Sequence, residues 1–189
     1  MMFDNDIKNA LKILKQGGVI LYPTDTIWGL GCDATNDEAV EKIFRIKSRN
    51  DNKSLIILVD SVAMLERYVK DIPEIAFDLV EVSDVPLTII YPEAKNLSPA
   101  ILAEDGTVGI RICADEFCNE LIRKFRKPIV STSANISGDP SPSHFMEISE
   151  KIIQAVDFAV EYRRDDWQRH KVSSVIKIGV NGEIKIIRK

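Results

Sequence analysis

Two short segments of this chain carry side chains that could bind a phosphate. Lys47-Ser48-Arg49 supplies two cations, and Ser131-Thr132-Ser133-Ala134-Asn135 supplies hydroxyls and an amide. Residues two apart cannot share a helix face, so at least one cation must lie beyond a helix end, in a loop that could close over an anion. Cations at a helix end also complement the helix dipole, and hydroxyl clusters are common at turns. Each segment alone therefore leaves a purely structural role open.

A third segment, Tyr22-Pro23-Thr24-Asp25-Thr26, could line a polar pocket. In an extended chain Thr24 and Thr26 would point to one side and Asp25 to the other. The alternative is an ordinary turn in which these side chains bond local backbone groups. Arg111 lies inside an apolar run, where a buried cation needs a ligand or a salt-bridge partner, unless it faces the surface.

Apolar periodicity and turn residues predict the elements that would position these side chains. Helices are predicted from Asp4 to Gly17, after the Asn36-Asp37 cap, and over residues 61–69, 73–82, 116–126 and 143–153. Strands are predicted over residues 19–22, 55–59, 87–91, 107–112 and 128–131, followed by a hairpin of 172–178 and 183–188 around Asn181-Gly182. This order indicates one α/β or α+β domain with a mixed sheet.

Composition bounds the class of protein. The chain has 189 residues, 45% of them hydrophobic, with a net charge of -4 and a pI near 5.3, which argues against a general nucleic-acid coat protein. The three cysteines have no metal spacing and fit free thiols in a reducing compartment, and no apolar stretch or basic leader points to a membrane. A cytoplasmic location is therefore expected.

Several common catalytic motifs are missing from the sequence. Gly29-Leu30-Gly31 is too short for a dinucleotide fingerprint, and no lysine-bearing phosphate loop occurs. His144 and His170 stand alone, without a cysteine or carboxylate at ligand spacing, so neither is assigned to a metal or to acid-base catalysis.

Taken in order, the motifs resemble the YrdC family, the threonylcarbamoyl-AMP synthases that act in making N6-threonylcarbamoyladenosine in tRNA. The resemblance rests on residues 17–31, 39–49, 108–111 and 128–142, with the Ser173-Ser174 strand also fitting, and it covers nearly the whole chain. It implies a twisted, mixed α/β sheet with flanking helices and a concave, positively charged face.

The resemblance also implies the ligands and the residues that hold them. L-threonine would be held by Thr26, Arg111, Ser131 and Ser174. ATP would be held by Arg49, Lys53, Thr107, Ser133, Asn135, Ser141 and Arg188. The catalytic quartet would be Lys47, Arg49, Ser133 and Asn135. No protein metal site is implied, because Mg²⁺ would arrive with ATP, held mainly by phosphates and water.

The implied reaction joins L-threonine, bicarbonate and ATP into threonylcarbamoyl-AMP and pyrophosphate, which makes the chain a nucleotidyltransferase. Its further partners would be threonylcarbamoyl-transferase proteins that use the adenylate, together with tRNA. Two other functions fit the same fold. One is an RNA-binding module without catalysis, and the other is a carbamoyl-transfer domain like those embedded in hydrogenase-maturation proteins.

The C-terminal hairpin offers a geometric test of two of these residues. A two-residue turn at Asn181-Gly182 would pair Val175 with Arg188 and put Ser173, rather than Ser174, on the face of Arg188. Ser174 would share that face only if the loop had an odd number of residues or the strand carried a bulge. Upstream, the polar residues 161–171 are expected to form a lid over the pocket or an ordinary surface loop.

Overall fold

The computed structural model describes residues 3–48, 55–168 and 171–189. Over these residues the chain forms a mixed α/β fold with six α-helices and one nine-stranded sheet, in agreement with the predicted class. No helix among the described residues has the length and apolar character needed to cross a membrane.

The helices lie between the strands along the chain. They are α1 (Asp4–Lys15), α2 (Asp37–Ile46), α3 (Val62–Leu65), α4 (Glu74–Val82), α5 (Glu116–Phe125) and α6 (Glu150–Ala155). The predicted cap of α2 is confirmed, because the Asn36 side chain accepts a hydrogen bond from the N–H of Ala39. Gly17, with a φ of 71°, follows α1 as the sequence predicts.

The strands form a single sheet in which parallel and antiparallel pairs are mixed. They are β1 (Ile20–Tyr22), β2 (Gly29–Gly31), β3 (Ile56–Val59), β4 (Leu87–Tyr91), β5 (Val108–Ile112), β6 (Ile129–Ser133), β7 (Phe158–Ala159), β8 (Ser174–Ile178) and β9 (Ile184–Arg188). Their order across the sheet is β7-β1-β2-β6-β3-β5-β4-β8-β9. Candidate site residues are carried by β5, β6, β8 and β9. These strands lie in the part of the sheet that runs from β6 to its β9 edge.

The predicted helix over residues 143–153 is wrong. A single 3₁₀ turn, Phe145–Glu147, comes first, and α6 begins only at Glu150. Between them Ile148 and Ser149 are extended, and Ile148 is buried. The helix therefore starts after Ser149, whose backbone is extended at the N-cap position, rather than after Ser143.

The glycines of β2 allow the site-bearing strands to approach a tyrosine. Tyr22 is fully buried, and its hydroxyl donates to the carbonyl of Val130 at 3.0 Å. A Cβ atom on Gly31 would lie 2.5 Å from Cε1 of Tyr22 and 2.9 Å from the Val130 carbonyl oxygen. Gly31 therefore serves close packing of the tyrosine ring against the sheet.

We expect Gly31→Ala to lower the free energy of unfolding by about 1–3 kcal/mol, since the tyrosine ring cannot retreat without losing its hydrogen bond. Gly29→Ala is the matched control, because its Cβ would meet its nearest neighbours at 3.3 Å and should cost less. Denaturant unfolding of both variants measures the difference. Equal losses would show that the Tyr22 contact is not what requires glycine.

Candidate active site

The strand register places the predicted hydroxyls and the predicted arginine on one face of the sheet. Ser131 of β6 pairs with Ile56 of β3, and Ile56 pairs with Gly109 of β5. Paired residues share a face, and so do residues two apart in a strand. Ser131, Ser133 and Arg111 therefore project to the same side, although 16 residues separate β5 from β6 in the chain.

A cavity of about 270 Å³ lies on this face. Its lining includes six of the predicted ligand-binding residues, namely Thr26, Arg111, Ser131, Ser133, Ser141 and Arg188. Its other lining residues are Ile27, Trp28, Gly29, Leu55, Ile56, Thr132, Val172 and Ser173. The described lining thus combines two guanidinium groups and several hydroxyls with an apolar wall, and it contains no carboxylate.

Arg111 is the most deeply buried charge in this cavity. Its side chain is 2% exposed, and one guanidinium nitrogen lies 2.9 Å from Oδ1 of Asp25 and 3.2 Å from the hydroxyl of Thr26. The Asp25 contact is close enough for an ion pair but lacks hydrogen-bond geometry. Among the described residues, neither Asp25 Oδ1 nor the buried Nε of Arg111 has a hydrogen-bond partner. Arg111 therefore has both a salt-bridge partner and donor capacity left for an anionic ligand.

The loop before β2 combines the two roles that its sequence leaves open. Thr24 forms a local turn, in which its hydroxyl donates to the Ile27 carbonyl at 2.8 Å and accepts from the N–H of Thr26 at 3.0 Å. Thr26 lines the cavity, and the two threonine hydroxyls lie 2.9 Å apart. Of the two threonines, only Thr26 is therefore positioned to meet a ligand in this cavity.

Lys47 is buried and points at backbone rather than into the cavity. Its Nζ donates to the carbonyl oxygens of Ser133 and Asn135 at 2.6 and 2.7 Å. It therefore fixes the end of β6, where the predicted hydroxyl and amide groups lie. Its predicted partners in sequence, Arg49 and Lys53, lie outside the described residues.

Asn135 and Ser141 lie where the serine-rich segment leaves the sheet. The Asn135 amide donates to the carbonyls of Ile136 and Asp139 at 3.0 and 2.7 Å, so it shapes the loop that follows β6. Asn135 lines a second cavity, of about 430 Å³, rather than the first, and Ser141 lines both. An elongated ligand could thus extend from the Arg111 cavity past Ser141 toward Asn135.

The hairpin brings Ser173, and not Ser174, to the cavity. The loop between Ile178 and Ile184 has five residues, and a bulge lies between Val175 and Ile176. The odd loop and the bulge each shift the register by one residue, and together they restore the pairing of Val175 with Arg188. Of the two serines, Ser173 therefore lines the cavity beside Arg188, and its carbonyl accepts a hydrogen bond from Nε of Arg188 at 3.0 Å.

Arg188 brings a second guanidinium to the cavity. Partial burial, and secondarily the charge of Arg111, lower the pKa of Arg188. The two arginines thus face one space in which their like charges disfavour each other. An anion bound between them would relieve this repulsion.

Thr107 immediately precedes β5 and lies outside the cavity lining. Its hydroxyl donates to Oδ1 of Asp105 at 2.6 Å, while Lys177 pairs with the other oxygen of that carboxylate. Thr107 could therefore contact only a ligand that extends well beyond the cavity.

Pattern analysis of the sequence missed the apolar wall of the site. Trp28 is 4% exposed, and its ring packs on Phe145 with 4.9 Å between the ring centroids. Ile27 and Val172 also line the cavity. The motif over residues 17–31 contains Ile27 and Trp28, but they were assigned no role, because isolated apolar residues in loops carry no periodicity.

The described part of the predicted lid is held against the protein. The N–H groups of Glu161 and Tyr162 donate to the Asp6 carboxylate at 3.1 and 2.9 Å, and the side chain of Arg164 donates to the Val160 carbonyl. These contacts hold residues 161–168, which we call the strap, against the rest of the protein. His170 lies outside the described residues.

The sequence as a whole matches known proteins. Residues 12–189 match the model of the Sua5/YciO/YrdC family, which is described as "Telomere recombination". The chain belongs to this family. Its relatives in sequence include the threonylcarbamoyl-AMP synthase of Pseudoalteromonas translucida, which is 33% identical over 187 residues that cover 97% of this chain and 98% of the relative.

Solved structures of family members support the same assignment. YciO of E. coli has a TM-score of 0.84 and 25% identity, with coverage of 98% of this chain and 89% of YciO. Sua5 of P. abyssi, solved in complex with L-threonine, has a TM-score of 0.81 and 31% identity over 91% of this chain. This chain spans 50% of that Sua5 structure.

Proposed function

We propose that this chain is a threonylcarbamoyl-AMP synthase, which joins L-threonine, bicarbonate and ATP to supply tRNA modification with its threonylcarbamoyl group. The observation that carries this proposal is Arg111, a buried cation with an unused donor in a cavity without carboxylates. Relatives named for this activity and the threonine complex of Sua5 give the proposal its substrate.

In this proposal Arg111 receives the carboxylate of threonine. A guanidinium fork matches a carboxylate in geometry, and a buried cation that is only partly paired gains most from an incoming anion. The hydroxyls of Thr26 and Ser131 belong to the described lining and could bond the rest of the amino acid. Ser173 replaces Ser174 in this set, since only Ser173 lines the cavity.

In this proposal the phosphates of ATP meet the remaining polar groups of the cavity. Arg188 and Ser133 line it, and Ser141 leads toward the adjoining cavity with Asn135. Arg49 and Lys53 keep their expected roles as phosphate cations, and Thr107 is kept only for the far end of the nucleotide. Mg²⁺ would enter as the counter-ion of ATP, held mainly by phosphates and water.

The chemistry requires positioning more than a protein nucleophile. The amine of threonine and bicarbonate give a carbamate with loss of water, and a carbamate oxygen then attacks the α-phosphate of ATP as pyrophosphate leaves. Cations that hold the phosphate oxygens stabilise the charge of this transition state, and a wall such as Ile27, Trp28 and Val172 limits water around the unstable carbamate. These roles make the chain a nucleotidyltransferase.

The same proposal sets the partners of the chain. Threonylcarbamoyl-AMP is a reactive adenylate, so a threonylcarbamoyl-transferase must consume it with tRNA as the acceptor. A cytoplasmic location follows from this role in tRNA modification. In this proposal tRNA is a partner of the chain through the transfer of the product.

The deciding experiment is incubation with ATP, Mg²⁺, bicarbonate and one amino acid at a time, with detection of pyrophosphate and of the adenylate by mass spectrometry. We expect both products with L-threonine and neither when bicarbonate or the amino acid is omitted. Serine tests whether the apolar wall reads the threonine methyl group, a contact worth about 1–3 kcal/mol. No product with threonine, together with salt-sensitive RNA binding, would favour the RNA-binding alternative.

A further inference from the structure

The loop that carries Asp25 and Thr26 determines how Arg111 is presented to its ligand. This loop has no strand pairing of its own between β1 and β2. Its backbone is instead held at two neighbouring carbonyls. The thiol of Cys118 lies 3.3 Å from the carbonyl oxygen of Pro23, and the guanidinium of Arg163 donates to the carbonyl oxygen of Thr24 at 2.6 Å.

Arg163 joins three separate segments through one side chain. While one nitrogen bonds Thr24, the other lies 2.7 Å from Oδ2 of Asp115. The second oxygen of Asp115 caps α5 by accepting from the N–H of Cys118 at 2.9 Å. The side chains of Arg163 and Asp115 are only 23% and 9% exposed, so this ion pair is sheltered from solvent.

The backbone at Arg163 has an unfavourable conformation that neighbouring contacts maintain. Its φ of 64° lies in the left-handed region, which costs a residue with a side chain about 1 kcal/mol. The preceding residues are fixed by Asp6, which accepts from the N–H groups of Glu161 and Tyr162. The strap thus holds Arg163 in an unfavourable conformation while its side chain reaches the Thr24 loop.

We propose that Arg163 is a positioning residue for the amino-acid half of the site. It holds Thr24 so that Asp25 and Thr26 keep Arg111 oriented toward the ligand. Since Arg163 has no described contact with Ser133, Ser141 or Arg188, its loss should affect threonine and spare ATP. This inference takes threonine as the substrate from the proposed function. The hydrogen bonds of Arg163 do not depend on that function.

Arg163→Gly removes the side chain and also the backbone cost, so it separates the contact with Thr24 from local strain. We expect the KM for threonine to rise about tenfold, which corresponds to the loss of one charge-assisted hydrogen bond, and the KM for ATP to change less than about twofold. Arg163→Lys, which can reach only one of the two partners, should give an intermediate value. Arg123→Ala is the matched control, because the exposed Arg123 side chain pairs with Glu120 on α5 and not with the loop.

Hydrogen exchange in the free protein tests the contact without any reaction. Among the described residues the N–H of Thr26 is bonded within the loop, to the hydroxyl of Thr24, so its exchange should accelerate in Arg163→Gly and stay unchanged in Arg123→Ala. Unchanged exchange and an unchanged threonine KM would overturn the inference, and so would equal rises in both KM values. If the wild type makes no adenylate, the proposed function fails while the exchange result still decides the role of Arg163.

Discussion

Arg111→Lys should raise the KM for L-threonine by about 10- to 100-fold, the range expected when a charged hydrogen bond of 1.5–3 kcal/mol is lost, while the KM for ATP changes little. The lysine keeps the charge that Asp25 requires, so the fold should survive. What it cannot keep is the planar fork, because one ammonium cannot bond Asp25, Thr26 and a carboxylate in the same geometry. Steady-state kinetics with each substrate varied separately measures the effect.

Arg188→Lys is the paired control on the same cavity. Arg188 lines the same cavity and donates to the Ser173 carbonyl; because the proposal assigns Arg188 to the phosphates of ATP, its loss should raise the KM for ATP more than the KM for threonine. The two variants should therefore give opposite patterns. If Arg111→Lys raised both KM values equally, the assignment of the amino-acid carboxylate to Arg111 would be wrong.

Lys47→Met should lower the free energy of unfolding by about 3 kcal/mol and reduce kcat strongly. The buried ammonium donates to the carbonyls of Ser133 and Asn135, and methionine would leave both without this partner inside the protein. The end of β6 would then lose the support that positions the Ser133 hydroxyl. Denaturant unfolding and single-turnover formation of the adenylate separate the structural loss from the catalytic one.

Lys42→Met is the matched control, since Lys42 lies on the same helix and its Nζ bonds one carbonyl, that of Gly17, at 2.8 Å. We expect a loss of about 1 kcal/mol or less and unchanged kcat for this variant. Equal effects of the two substitutions would mean that Lys47 acts only as a helix-end cation. Full stability of Lys47→Met with loss of kcat would instead place its ammonium on the substrate.

These expectations give the two halves of the cavity different physical characters. The amino-acid half depends on a buried ion pair, because Asp25 compensates the charge of Arg111 before any ligand binds. The nucleotide half, as far as it is described, depends on hydroxyls, on Arg188 and on the backbone that Lys47 fixes. A substitution in one half should therefore be measured against both substrates before it is called catalytic.

Local sequence was sufficient for most elements because their signals are local. The Asn36 cap, the glycines after α1 and the apolar runs of β3, β4 and β5 all act within a few residues. The strands β2 and β7 were not predicted, since they have three and two residues and owe their existence to pairing with distant partners. The five-residue hairpin loop was also missed, because the Asn181-Gly182 signal marks a turn without fixing its length.

The sequence by itself determined the chemistry that is available and the family. The types and order of Thr26, Arg111, Ser131 and Ser133, in their surrounding motifs, suffice for that. Only the tertiary structure decided which groups meet. It turned Lys47 toward backbone carbonyls, paired Arg111 with Asp25, and brought Ser173 rather than Ser174 to the cavity. The physical reason is that strand register and charge pairing depend on contacts between distant segments, and one bulge or one loop residue reverses which side chain faces the ligand.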